Sequence, residues 1–354
     1  MLGVHEVRTR GHHRFPSTRY QGSKRKLAAT IVEQLGNLEF TTVLDAFGGT
    51  GAVAYALKQL GKHVTYNDIL AFNHQIGLAL VENDSVRLSD EEIETIGLRR
   101  DRISYGDFIE RTFAGIYFTD EENCWLDIAA GNIRWIENRY RRALAWFALF
   151  QSAMAKRPYN LFHRSNLYMR TADVTRSFGN KATWDRSFQE HFRRFANEAN
   201  AAVIDGGGAC RAICRDALDV EPAFDLVYID TPYINRAGVG VDYQQFYHFL
   251  EGLVRYEEWP ALIDDRFKHR PLARVDQPWS DPGRCTEMFR KLFALYRDSI
   301  IVVSYRSDGI PSIDELAKMI GRVKRRTRVI DGSSYQYALS TNSRSREVLL
   351  IGRD

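Results

Sequence analysis

Apolar residues follow two rhythms along this chain. Some form short unbroken runs that stop at polar residues; others recur every three or four positions. Leu27, Ile31 and Leu35 are four apart, which predicts a helix over Ser23 to Leu35. Thr42 to Ala46 reads as a buried strand, with Gly48-Gly49-Thr50-Gly51 as a tight turn after it. Ala52 to Leu60 is then a helix stopped by Gly61, and His63 to Tyr66 a strand ending at Asn67-Asp68. Strand, turn, helix and strand in that order open a doubly wound α/β sheet.

Residues 71–160 are predicted to be mostly helical, with acidic connectors near 84–94 and 119–123. Arg157 to Trp184 mixes arginine, aromatic, Asn and Ser residues without a helical period, and reads as an irregular or hairpin-containing segment. Helix resumes over Phe188 to Asn200, and Gly206-Gly207-Gly208 is a break. Strands are predicted at Arg211 to Cys214, Leu226 to Ile229 and Ser299 to Tyr305. Further helices fall at Phe246 to Tyr256, Met288 to Tyr296 and Ile313 to Ile320, with proline-interrupted surface over Pro260 to Pro282. Arg326 to Ile330 and Glu347 to Ile351 are expected to close the sheet as an antiparallel hairpin.

Charge changes this picture in the middle of the chain. The net charge is +4, yet Arg134 to Arg194 alone holds thirteen Lys/Arg against four Asp/Glu. A basic centre within an otherwise mildly acidic chain suggests a surface for a polyanion; a solvated helical face is the plainer alternative. The four cysteines form no CxxC pair and have no ligand-like histidines nearby, so neither a metal site nor a disulfide framework is expected. The polar, His/Arg-rich first residues do not resemble a secretory signal, and no apolar stretch is long enough to span a bilayer. These features predict a reduced, cytoplasmic protein.

Two strand ends carry candidate chemistry. In the first, Asp45-Ala46-Phe47-Gly48-Gly49-Thr50-Gly51, the glycines let backbone approach a ligand closely. Asp68, one strand later, is placed to take the hydroxyls of a ribose. Asp45, just before the turn, would repel a pyrophosphate but suits a ligand with a cationic amino group. That favours S-adenosylmethionine (AdoMet) over NAD; a turn whose glycines only relieve crowding is the competing reading. Upstream, Tyr20 can pack on a flat ligand, and Lys24 opens a helix where its charge is unfavourable, which suggests an anionic partner outside the helix; a solvent-exposed lysine is the plainer alternative.

The second strand end is Asp230-Thr231-Pro232-Tyr233. An exocyclic adenine nitrogen is a poor nucleophile because its lone pair is conjugated into the ring. Two acceptors on its N–H bonds favour a pyramidal nitrogen with its lone pair aimed at the methyl donor. Asp230 supplies one acceptor, and the Thr231 carbonyl, held extended by Pro232, supplies the other. Tyr233 is expected to stack on the base. A base in a duplex must be flipped out to reach such a pocket.

In order and spacing, these motifs resemble the Dam-type (alpha-group) adenine-N6 DNA methyltransferases. The resemblance rests on Arg19-Tyr20-Gln21-Gly22-Ser23-Lys24, the turn at 45–51, Asp68, Cys214-Arg215-Asp216, Arg157 to Leu167, Asp230 to Tyr233 and the terminal hairpin Tyr335 to Ile351. It implies a Rossmann-like class I AdoMet-dependent methyltransferase sheet with a largely helical DNA-recognition insertion. Residues 18–85 and 205–354 would form the catalytic domain, 86–204 the insertion with a target-recognition segment at 157–184, and 1–17 a tail. Asp45, Phe47, Gly49, Gly51, Asp68 and Asp216 would line the AdoMet site, with Tyr20 and Lys24 beside it. Arg19, Arg157, Asn160, Arg164, Arg170, Arg176 and Lys181 would meet double-stranded DNA, while Leu161 and Phe162 are expected in the core. The resemblance further implies a monomer, and allows a cognate restriction endonuclease acting separately. Thr231 stands where the family usually has Pro, which leaves the carbonyl acceptor in place. An RNA adenine-N6 methyltransferase, or a silent protein that binds AdoMet and DNA, are the other readings.

Overall fold

The computed structural model describes residues 14–172, 181–331 and 345–354. Its centre is a seven-stranded sheet in the order β3-β2-β1-β4-β5-β7-β6. The strands are β1 Thr42–Asp45, β2 His63–Asn67, β3 Arg211–Ile213, β4 Leu226–Ile229, β5 Ile300–Arg306, β6 Arg326–Asp331 and β7 Glu347–Arg353. β1 pairs in parallel with both β2 and β4, β2 with β3, and β4 with β5. β7 then runs antiparallel between β5 and β6. All seven predicted strands are present, each within a residue or two of its expected ends.

Both faces of the sheet are buried, which is why its central strands are unbroken apolar runs. Successive residues serve opposite cores: Val43, Leu226, Tyr228 and Val302 pack on one side, and Leu44, Val227, Ile229, Ile301 and Val303 on the other. The first core continues into the insertion, where Phe118, Phe162 and Phe188 join it and pack with Phe249 of the later segment. The helix Arg139–Ala155 is buried along its whole second half, in keeping with the apolar run Ala143 to Phe150. Most of the described structure from 86 to 204 is helical, and none of the named strands lies there.

Local chemistry sets the helix starts. Ser89, Thr119, Ser187 and Ser312 each form a capping box with a Glu three residues on. Two expected helices are broken. Ser23 to Leu35 divides into a 3-10 turn, Lys24–Lys26, and an α-helix, Ala28–Leu35. Phe246 to Tyr256 becomes Tyr243–Phe246 and His248–Val254, since Tyr247 leaves the helical conformation to turn the chain. Among the described residues of 157–184 there are short helical turns and no hairpin.

Candidate active site

Parallel α/β sheets collect ligands at the carboxyl ends of their strands. Here β1, β2 and β4 end around a cleft. Asp45, Phe47, Gly49, Asp68 and Asp216 line it, as do Tyr20, Lys24, Asp230 and Pro232. The two motifs that the sequence separates by about half the chain thus share one cavity.

The turn after β1 is held from below. Gly49 and Gly51 have φ of 50° and 73°, and the Gly51 N–H donates to the Gly48 carbonyl at 2.8 Å. A Cβ on Gly48 would lie 2.1 Å from the Tyr66 ring, so that position tolerates only glycine. Asp68 braces the turn, accepting from Gly49 N at 2.9 Å, Asn73 Nδ2 at 3.0 Å and Leu70 N at 2.9 Å. Asp216 caps the next turn through Leu218 N at 2.9 Å.

Asp45 differs from these acids. It is buried, and its Oδ1 has no hydrogen-bond partner among the described residues. Burial, with Asp230 and Asp68 adding to it, pushes its carboxyl up to about 8. A buried acid beside two other acids, with an unpartnered oxygen at a ligand cleft, fits a cationic group. The glycine cradle and the surrounding acids therefore suit the ammonium- and sulfonium-bearing donor.

Lys24 finds its anionic partner inside the protein. Its ammonium lies 2.8 Å from Asp230 Oδ1 and 3.4 Å from Glu347 Oε1, and it donates to the Tyr233 hydroxyl. Burial alone would favour neutral Lys24, but the charges of Asp230 and Glu347 outweigh it and raise its pKa. Asp230 is itself raised, chiefly by burial and against the pull of Lys24. The Tyr233 hydroxyl donates to Asp230 Oδ1 at 2.7 Å. Both contacts to Asp230 fall on Oδ1, which leaves the acceptor capacity of Oδ2 for a ligand.

The extended backbone alternates here: Asp230 and Pro232 face the cleft, while Thr231 and Tyr233 are buried. This corrects the expectation that the Tyr233 ring is the stacking face. That ring packs edge-on against Tyr305 at 5.3 Å. The rings lining the cleft are Tyr20, Phe47, Tyr228, Tyr243 and Trp279. Tyr20 stacks on Tyr247 at 4.5 Å and Tyr243 at 5.4 Å, and Phe47 meets Trp279 edge-on at 5.0 Å. Tyr243 and Trp279 were not singled out from sequence, because no strand or glycine turn precedes either of them.

The predicted DNA-facing residues divide. Arg157 and Arg170 are not surface groups. Arg157 is 1% exposed, lies 4.3 Å from the Tyr117 ring and donates to the carbonyls of Leu161, Arg164 and Tyr117. Burial lowers its pKa to about 9. Arg170 is buried in a two-pronged contact with Glu122, at 2.7 and 2.9 Å, and Lys156 meets the same carboxylate at 2.7 Å. Arg164 and Lys181 are exposed, Lys181 beside Asp185 at 3.1 Å. Arg19 and Asn160 are half-buried, and Arg176 lies outside the described residues. Leu161 and Phe162 are in the core, as expected.

A buried strand-end acid facing a glycine-turn cleft defines a Rossmann-like methyltransferase site, and comparison with known families agrees. The family of D12 class N6 adenine-specific DNA methyltransferases matches residues 20–304, and the chain belongs to that family. Among its relatives, the Type II methyltransferase M2.HphI of Haemophilus parahaemolyticus is 29% identical over 327 residues, covering 90% of this chain and 91% of that protein. The modification methylase StsI of Streptococcus sanguinis is 25% identical over 85% of this chain and 46% of its own length. The modification methylase LlaI of Lactococcus lactis subsp. lactis is 22% identical over 86% of this chain and 48% of its own length. The chain thus spans about half of each of the last two. It is an adenine-N6 DNA methyltransferase using an AdoMet-type methyl donor. No described helix is long and apolar enough to cross a membrane.

Proposed function

We propose that this enzyme transfers the methyl group of AdoMet to the N6 nitrogen of an adenine flipped out of a specific duplex DNA sequence. The observation that carries this reading is that Asp230 and Asp45, whose Oδ1 has no partner among the described residues, line one cleft. Bound AdoMet supplies an electrophilic methyl group on a sulfonium. Asp45 would meet its ammonium, Asp68 its ribose and Asp216 its adenine, with Phe47 and Gly49 shaping the wall and Gly51, outside the cleft lining, closing the turn. Asp230 Oδ2 and the Thr231 carbonyl accept the two N–H bonds of the target amino group and direct its lone pair along the cleft. Asp230 then stabilises the positive charge that builds on the nitrogen, since Lys24 and Tyr233 fix its orientation beforehand. Holding nitrogen and methyl in line supplies much of the remaining acceleration.

Residues 18–85 and 205–354 would carry this chemistry, and 86–204 would read DNA, with Arg164 and Lys181 as phosphate contacts. The enzyme would act as a cytoplasmic monomer, with any cognate restriction endonuclease a separate protein. The test is transfer from labelled AdoMet to unmethylated duplex DNA, followed by nucleoside digestion and site mapping. N6-methyladenine at one short motif is expected. Label on structured RNA alone, on cytosine, or at scattered adenines would overturn the reading.

A further inference from the structure

Glu347 is the first residue of β7, paired in register with Arg306 of β5. It lies beyond the stretch 20–304 that matches the family and does not line the cleft. It is nevertheless wired to the strand-end acid. Its Oε1 accepts from Ser304 Oγ, lies 3.2 Å from the Tyr233 hydroxyl, whose single proton is shared with Asp230, and sits 3.4 Å from Lys24 Nζ. The same ammonium and the same hydroxyl contact Asp230 Oδ1. Lys24 is thus shared by two carboxylates.

Lys24 and Asp230 alone would form a neutral pair, and burying a second carboxylate beside them costs free energy. The cost has a use if the pair must not be neutral. An Asp230 fully compensated by Lys24 is a weak acceptor, yet in the reaction the N6 nitrogen opposite it becomes positive.

We propose that Glu347 is a positioning residue for methyl transfer: by sharing Lys24 and the Tyr233 hydroxyl, it leaves the cluster of Lys24, Asp230 and Glu347 with a net negative charge where N6 turns positive. The inference rests on the reading of Asp230 as the N6 acceptor. Glu347 touches neither substrate nor donor; it acts through Lys24 and Tyr233. Its negative charge also raises the pKa of Asp230. The other ionisable groups acting on that carboxyl are Lys24, Tyr233, Asp45, Tyr228 and Tyr243. Removing the Glu347 charge should therefore shift Asp230 titration to lower pH.

The test compares wild type, Asp230→Ala and Glu347→Gln, the last keeping shape and polar contacts while losing the charge. In single turnover with AdoMet and duplex DNA, Glu347→Gln is expected to slow transfer by about tenfold, the equivalent of one pKa unit of differential stabilisation. AdoMet affinity should hold, and the acid limb of the rate profile should move to lower pH. A wild-type rate and an unmoved acid limb would overturn the proposal. If Glu347→Gln lowers the melting temperature, Glu347→Asp separates charge from packing: it should keep the wild-type acid limb, and the same displacement in both variants would overturn the charge role. Activity surviving in Asp230→Ala would instead sink the reading of the site itself; a dead Asp230→Ala beside an unaltered Glu347→Gln would sink this inference alone.

Discussion

Lys24 Nζ sits 2.8 Å from Asp230 Oδ1, tying the turn that precedes the first long helix to the end of β4, 206 residues later. Lys24 is almost completely buried, so this is no surface ion pair of small worth. Removing the cation would strand Asp230 and Glu347 together. Lys24→Met is expected to cost about 3 kcal/mol of stability near neutral pH, by analogy with other broken buried pairs. The loss should shrink as pH falls, because protonation relieves the stranded carboxylates. Thermal unfolding of both proteins from pH 5 to pH 8 checks this; a deficit that does not change with pH would count against the pairing.

Tyr233 gives a second expectation, opposite to the one its motif suggests. A stacking ring would make Tyr233→Phe mild. In the structure the hydroxyl does the linking, donating to Asp230 and accepting from Lys24. Tyr233→Phe should therefore slow transfer roughly tenfold, about the worth of one hydrogen bond to a charged group, with little change in unfolding temperature. Tyr233→Ala should lose the same rate and stability as well, since the ring is packed on Tyr305. A Phe variant with wild-type rate would restore the stacking role.

The strands were legible because a parallel sheet buried on both faces demands unbroken apolar runs, as at Leu226–Ile229. Their polar ends, Asp45 and Asp230, were legible for the same reason: each acid stands out against the run it terminates. What sequence hid was burial of charge far from any pattern. Arg157 and Arg170 read as DNA-facing because a sequence records charge and not the carboxylate or carbonyl that consumes it. Arg170 meets Glu122, 48 residues away, and Arg157 is wrapped by its own loop. Glu347 was hidden likewise, a polar start to a final strand whose partner lies at the opposite end of the chain.

Asp45 makes donor binding a titration. Its carboxyl, raised to about 8 by burial and by the neighbouring Asp230 and Asp68, holds a proton at neutral pH in the unliganded enzyme. A cationic ligand favours the ionised form, so binding should release a proton below pH 8 and weaken as pH falls, by at most about tenfold per unit. Calorimetric titration with AdoMet in two buffers of different ionisation enthalpy counts the protons. Close to one is expected at pH 7, falling towards none above pH 9, and Asp45→Asn should abolish the release. Proton-neutral binding at pH 7 would place the cationic end of the donor elsewhere.

The two kinds of arginine in the insertion should fail in different ways. Arg164 is exposed, and if it contacts a phosphate, Arg164→Ala weakens DNA binding on all sequences and lowers the salt dependence by about one counterion. Its unfolding temperature should not change. Arg157→Ala takes the donor from the Leu161 and Arg164 carbonyls, leaves the Tyr117 carbonyl with Arg170 alone and opens a gap beside Tyr117, at a cost of about 3 kcal/mol. Any loss of DNA affinity should then follow loss of fold. Salt-dependent binding and thermal unfolding, measured on the same two variants, separate the effects. A stable Arg157→Ala protein with a reduced salt slope would return Arg157 to the DNA surface, and would mean that the loop at 157–164 opens to meet its substrate.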